Sequence, residues 1–168
     1  MTRREMLGMA SVAVVAVALG GGIFLNRDEE DDEPPSGDFP VRKTKAQWRA
    51  QLGAASYAIL REAGTEPPYS SPLLEEHRQG IFACLGCDTH AFGSATKFDS
   101  HTGWPSFWDV LPNAIVKRTD LKIGVPRTEV LCKTCGGHLG HVFDDGPKPT
   151  GLRYCMNGLA LKFLPGLS

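Results

Sequence analysis

The apolar positions of this chain change their spacing twice, and each change predicts a different kind of structure. Residues 6–25 carry no charge and consist largely of Ala, Val, Gly and Leu, and Arg3 and Arg4 stand just before them. Residues 26–40 reverse the pattern with Asp28-Glu29-Glu30-Asp31-Asp32-Glu33 followed by Pro34-Pro35-Ser36-Gly37, a stretch that repels itself and has almost nothing to bury. From Trp48 a helical period begins. Trp48, Leu52, Ala55, Ile59, Leu60 and Ala63 recur three or four apart, Thr44-x-x-Gln47 precedes them as a capping box, and Gly64 follows, which predicts a helix over residues 45–63. Ser71-Pro72 before Leu73-Leu74-Glu75-Glu76 predicts a second, short helix with Pro at its first position.

Beyond Gly80 the apolar runs shorten and Gly and Pro separate them. Residues 81–83, 96–98, 114–118, 129–131, 139–143, 152–156 and 159–163 are too short for helices and too closely spaced for an alternation of strand and helix. The pattern predicts a mainly β, antiparallel body carrying one or two helices at its amino end.

The chain divides into a segment over residues 1–25, a linker over 26–40 and a folded domain over 41–168. Thr2-Arg3-Arg4 before the apolar run resembles a twin-arginine export signal, so the domain is expected in the periplasm or cell envelope. Ala16-Val17-Ala18 offers a small-x-small cleavage site. The run is also close to the ~20 residues that span a bilayer, so retention as a membrane anchor is the alternative. Cytoplasmic Arg3 and Arg4 would then leave the domain outside. The acidic tract reads as a solvated tether, with partner binding as its alternative.

The net charge of −1 hides an uneven distribution. Residues 1–37 hold three Arg against seven Asp and Glu, and residues 38–168 hold 15 Lys and Arg against 12 Asp and Glu, a formal +3. That excess is too small to point to nucleic acid.

The sulfur pattern carries the chemistry. Four of five cysteines form two Cys-x-x-Cys pairs, Cys84 with Cys87 and Cys132 with Cys135. Two residues between cysteines let one tight turn aim both sulfurs at a point, and two such turns supply a closed tetrahedral zinc site. Two local disulfides, or one redox pair, are the competing arrangements in an oxidising compartment. The 44 residues between the pairs must fold between the two knuckles. Cys155 is left over. If residues 152–157 form a strand, Arg153, Cys155 and Asn157 share a face, and a guanidinium beside a thiol favours the thiolate. His138 and His141 lie upstream and can donate protons near neutral pH.

Several motifs in order resemble the B-type methionine sulfoxide reductases, also called methionine-R-sulfoxide reductases. They are Gly64-Thr65-Glu66-Pro67-Pro68, Thr96-Lys97-Phe98-Asp99-Ser100, Gly103-Trp104-Pro105-Ser106-Phe107, the run from His138 to Pro147, and Thr150-Gly151-Leu152-Arg153-Tyr154-Cys155-Met156-Asn157. The likeness runs from about residue 42 to 164. It implies two antiparallel β-sheets with zinc clamped between loops away from the active site, and thiol-dependent reduction of the R epimer of methionine sulfoxide. By the same match Cys155 is the nucleophile, and His141 and His138 are the polar groups near the departing oxygen. Asn157 and Arg153 assist binding and pKa control, and Trp104 and Phe143 hold the substrate. Oxidised proteins or peptides are the implied partners, together with an external thiol, either thioredoxin-like or small.

One departure bears on turnover. Many members of that family carry a second, resolving cysteine before Gly-Trp-Pro-Ser; here Thr102 stands there, after His101. The sulfenic acid formed on Cys155 is therefore expected to be reduced directly from outside. Two other classes compete with this reading: a zinc-ribbon-like binding module without catalysis, and a cysteine-dependent hydrolase or peroxidase.

Overall fold

The computed structural model describes residues 38–166. Residues 1–25 and most of the 26–40 linker lie outside them. Among the described residues no helix is long and apolar enough to cross a membrane.

The expected first helix, α1, spans Lys45–Glu62. Thr44 caps it: its hydroxyl accepts the Gln47 N–H at 3.2 Å, while the Gln47 side chain accepts the Thr44 N–H at 3.0 Å. A cap of this kind stabilises a helix by roughly 1 kcal/mol. The helix does not keep one phase. Gly53 adopts φ +70°, a conformation that glycine reaches at little cost, and breaks the ladder there. Trp48 is buried before the break and Ser56, Tyr57, Ile59 and Leu60 after it, whereas Ala55, expected on the buried face, is exposed. The second predicted helix is a single 3-10 turn at Pro72–Glu75, with Ser71 accepting the Leu73 N–H at 3.1 Å.

Nine strands follow among the described residues: β1 (Gly80–Cys84), β2 (His90–Gly93), β3 (Lys97–Phe98), β4 (Ser106–Phe107), β5 (Ile115–Asp120), β6 (Arg127–Cys132), β7 (His138–Phe143), β8 (Arg153–Met156) and β9 (Leu161–Pro165). They pair into two antiparallel sheets, one ordered β2-β1-β9 and the other β3-β4-β8-β7-β6-β5. The mainly β, two-sheet expectation holds. β2 and β4 carry no sequence signal of their own.

Aromatic side chains join the sheets. Phe82 of β1 and Phe92 of β2 lie 5.0 and 4.5 Å, ring centre to ring centre, from Phe107 of β4, and Phe92 lies 5.8 Å from Tyr154 of β8. Such pairs contribute roughly 0.5–1.5 kcal/mol each beyond the area they bury. α1 packs on β7 and on the 3-10 turn Gly158–Ala160 that follows β8.

Candidate active site

The site grows from the pairing of β7 with β8. His141 lies opposite Cys155 and Phe143 opposite Arg153, and directly opposed residues share a face of the sheet. Cys155 is also opposite Ser106 of β4, His141 opposite Glu129 of β6, and Glu129 opposite Arg118 of β5. Ser106, Cys155, His141, Glu129 and Arg118 thus form one polar row across five strands. The alternate residues Tyr154, Val142 and Met156 enter the core. β7 and β8 approach closely at Gly140, where a Cβ would fall on the carbonyl oxygen of Cys155.

Beside this row is a cavity of about 140 Å³. Trp104, His141, Phe143, Cys155 and Asn157, all named from the sequence, line it, joined by Thr65, Gly140 and Arg127. Pockets for drug-sized ligands run to ~300–1,000 Å³, so this one admits the end of a single side chain.

Glu66 fixes two of its walls. The Trp104 indole N–H donates to the Glu66 carbonyl at 3.0 Å, and the Glu66 N–H donates to the Asn157 side-chain oxygen at 3.1 Å. The Asn157 amide donates to the Leu139 carbonyl at 3.3 Å. The buried Glu66 carboxylate accepts the N–H groups of Gly158 and Leu159 at 2.5 and 3.0 Å, tying down the turn after β8. Asn157 therefore reaches the cavity from the cap of that turn, one residue past the strand end.

Around the Cys155 thiol stand hydroxyl groups. Its Sγ lies 3.9 Å from Thr102 Oγ1, Thr102 is 2.8 Å from Ser100, and Ser100 is 2.7 Å from Ser106. Burial pushes the thiol above its ordinary pKa; Thr102, Arg153 and Ser106 pull it down without cancelling that effect. The expected influence of Arg153 is thus present and outweighed. Arg153 is itself engaged, with both Nε and Nη2 donating to Asp145 at 2.8 Å and its guanidinium 4.5 Å from the Phe143 ring centre.

The two histidines differ in place. His141 lines the cavity, and its Nε2 lies 2.8 Å from Asp120 Oδ2. That carboxylate also accepts from Arg127 Nη2 at 2.6 Å and from the Lys122 N–H at 2.8 Å. The Lys122 N–H, then His141 and Arg127, hold Asp120 below the usual carboxylate range. His138 is off the cavity wall. It is 3% exposed, with Nδ1 2.7 Å from Glu129 Oε1 and Nε2 making no hydrogen bond. Burial lowers its pKa, although Glu129 acts in the opposite direction. The two rings are 5.3 Å apart.

The four paired cysteines gather in a separate cluster. Cys84 and Cys87 flank the turn from β1 to β2, and Cys132 and Cys135 the turn from β6 to β7. The knuckles match: Asp88 N–H bonds to the Cys84 carbonyl and Gly136 N–H to the Cys132 carbonyl, both at 2.9 Å, with both donor residues left-handed. All four sulfurs lie within 4.8 Å of one another, with Cys84 and Cys135 3.7 Å apart and Cys87 and Cys132 3.4 Å apart. Crowding pushes the Cys84 and Cys135 thiols up, chiefly through Cys132, whose own thiol Cys135 pulls down. Four sulfurs this close can all be thiolates only around a cation, so the set fits a structural metal and none of it lines the Cys155 cavity. α1 braces the cluster: Gln51 donates to the Gly86 carbonyl and Arg61 to the Cys135 carbonyl, each at 2.8 Å.

Sequence reading gave no role to Glu66, Asp120, Arg127, Glu129 or Thr65, although Thr65 and Glu66 stand in one of the motifs that carry the resemblance. The five come from a loop and a distant hairpin and share no local spacing with Cys155. One signal was available in the sequence, since Glu129 is an acid at the head of the short apolar run 129–131, which is buried in β6.

The fold is a two-sheet β domain in which a four-cysteine cluster fit for a metal stands apart from a fifth, unpaired cysteine in a small cavity. The chain belongs to the SelR domain family, which matches it over residues 52–165. Similar curated proteins include the peptide methionine sulfoxide reductase MsrB of Leifsonia xyli, 49% identical over 131 residues, covering 77% of this chain and 94% of that one. The protein of the same name from Thiobacillus denitrificans is 52% identical over 124 residues, covering 73% and 94%. That of Agrobacterium fabrum is 50% identical over 126 residues, covering 74% and 93%.

Proposed function

We propose that this chain reduces the R epimer of methionine sulfoxide, in peptides and proteins, to methionine. The observation that carries the reading is the single free thiol, opposite a histidine, in a cavity of side-chain size closed by an indole. A flat apolar ring suits an S-methyl group. The Cys155 thiolate attacks the sulfoxide sulfur as the oxygen takes up a proton; the hydroxyl then passes to Cys155 Sγ while the transient S–S bond and the original S–O bond break, and the products are methionine and Cys155 sulfenic acid. His141 is the proton donor in this scheme, because it lines the cavity while His138 stands behind it against Glu129.

Thr102 occupies the neighbouring position where a resolving cysteine would serve, and the other four cysteines are committed to the cage. An external thiol therefore condenses with the sulfenic acid and releases water, and a second thiol frees Cys155 as the thiol with formation of the external disulfide. The cage ion is zinc in this reading. Zn–S bonds of ~2.3 Å in a tetrahedron put sulfurs about 3.8 Å apart, near the 3.7 Å between Cys84 and Cys135. Its role is structural.

Export through residues 1–25 belongs to the same proposal, with oxidised envelope proteins as the substrates and the apolar run either cleaved or kept as an anchor. Fractionating cells that express the full chain, with mass analysis of its amino terminus, tests that part. A cytoplasmic, uncleaved protein overturns it. The activity is tested with separated sulfoxide epimers and dithiothreitol on the wild type and Cys155→Ser. R-selective turnover that the substitution abolishes is expected; turnover surviving in Cys155→Ser refutes the assignment.

A further inference from the structure

Three of the large apolar side chains exposed among the described residues stand within five positions of one another: Leu121, Ile123 and Val125, at 64%, 63% and 61% exposure. They occupy the loop between β5 and β6, whose last paired residues are Asp120 and Arg127. The loop is braced from inside. The Lys122 N–H bonds to Asp120, the Gly124 N–H bonds to the Leu121 carbonyl at 3.0 Å, and the Lys122 ammonium reaches the Glu62 carbonyl at 3.2 Å. An ordered turn thus holds three aliphatic groups out in water. Isolated exposed apolar residues are ordinary, but a cluster marks an interaction surface.

The foot of this loop is the wall of the Cys155 cavity. Arg127 lines that cavity and Asp120 holds His141. A polypeptide with its oxidised methionine in the cavity must carry its neighbouring residues across the rim, and at ~3.3 Å per extended residue a few of them reach the tip.

We propose that the β5–β6 loop is a docking arm for apolar stretches flanking methionine sulfoxide in unfolded polypeptides. The proposal rests on the sulfoxide reductase reading and deepens it. Methionine is itself a residue of protein interiors, so an oxidised, unfolded chain presents the sulfoxide among apolar neighbours. Charge favours this occupant over an anionic lipid surface. Arg127 is ion-paired with Asp120, and Lys122 alone falls short of the cluster of roughly 4–8 Lys and Arg that binds anionic headgroups. Contacts at the arm lie outside the reacting centre and act on substrate capture.

The test compares the full chain with Leu121→Ser/Ile123→Ser/Val125→Ser on two substrates. One is N-acetyl-methionine R-sulfoxide; the other is a reduced, carboxymethylated protein oxidised with peroxide. The triple variant is expected to keep its kcat/KM on the small substrate to within about twofold. On the polypeptide it should lose about tenfold, mainly through KM, equivalent to about 1.4 kcal/mol. Ile123→Ser alone should give a smaller loss in the same direction, which covers the case of a triple variant that folds poorly. Equal losses on both substrates, or no loss on the polypeptide, overturn the proposal. So does a variant that stops co-sedimenting with phosphatidylcholine–phosphatidylglycerol vesicles while its polypeptide kinetics stay unchanged. A wild type that reduces neither substrate refutes the sulfoxide reductase reading itself.

Discussion

Glu66→Gln isolates a carboxylate that holds the cavity without facing the chemistry. The two oxygens accept the N–H groups of Gly158 and Leu159, and the residue is 3% exposed. Hydrogen bonds to a charged acceptor contribute ~1.5–3 kcal/mol each, and a buried donor left without a partner costs about as much. Glutamine keeps the shape but turns an NH2 toward one of the two N–H groups, so one bond is lost and two donors face each other. The expected loss is about 2–3 kcal/mol; Glu66→Ala, which loses both bonds, should cost about 4 kcal/mol. At about 4 °C per kcal/mol for a domain of this size, Glu66→Gln should melt about 10 °C lower. Function should follow, because the Glu66 backbone positions both Trp104 and Asn157. We expect kcat/KM on the small sulfoxide to fall about tenfold, corresponding to a displacement of these groups worth about 1.4 kcal/mol. Calorimetry and steady-state kinetics on metal-loaded protein provide the readout. A Glu66→Gln protein with the wild-type melting temperature and wild-type kinetics would show that the carboxylate carries no such load.

Three further outcomes follow from the site. Cys132→Ser, or a strong chelator, should release the metal and lower the melting temperature by more than 15 °C, since a structural zinc supplies ~10–16 kcal/mol of apparent binding free energy that is also folding energy; elemental analysis with thermal scans checks this. Because burial raises the Cys155 pKa, its alkylation by iodoacetamide should climb with pH past the midpoint of an ordinary thiol, and Thr102→Val, which removes a group that lowers the pKa, should move that midpoint higher still. Thr102→Cys puts a second thiol at a position whose side chain approaches Cys155 to 3.9 Å; after one turnover with sulfoxide an intrachain disulfide should form, seen by thiol counting under denaturing conditions.

Features written locally in the sequence were legible and features made by long-range pairing were not. The cysteine pairs declare themselves by spacing, and the lone thiol by subtraction. The capping box placed the start of α1 correctly, yet the helical period carried straight through Gly53, whose positive φ resets the phase and exposes Ala55. β2 escaped notice because His90-Ala91-Phe92-Gly93 is four residues between polar neighbours, and β4 because a two-residue strand has no period. Asp120 and Arg127 meet His141 only because β5, β6 and β7 lie side by side, and Glu66 reaches the turn after β8 across more than 90 positions. No spacing rule spans such distances. Arg153 shows the converse: its place beside Cys155 was readable, while the burial that outweighs it was not.

The two knuckles hang from different sheets, one after β1 and one between β6 and β7, so an ion held by all four sulfurs cross-links the layers and closes a loop of about fifty residues. A covalent cross-link over that length would restrain the unfolded chain by about 4 kcal/mol. A disulfide in that place would be open to exchange with the external thiols of the proposed cycle. Metal–thiolate bonds have no S–S bond for those thiols to cut, so a strut of this kind keeps the layers joined in a reducing medium.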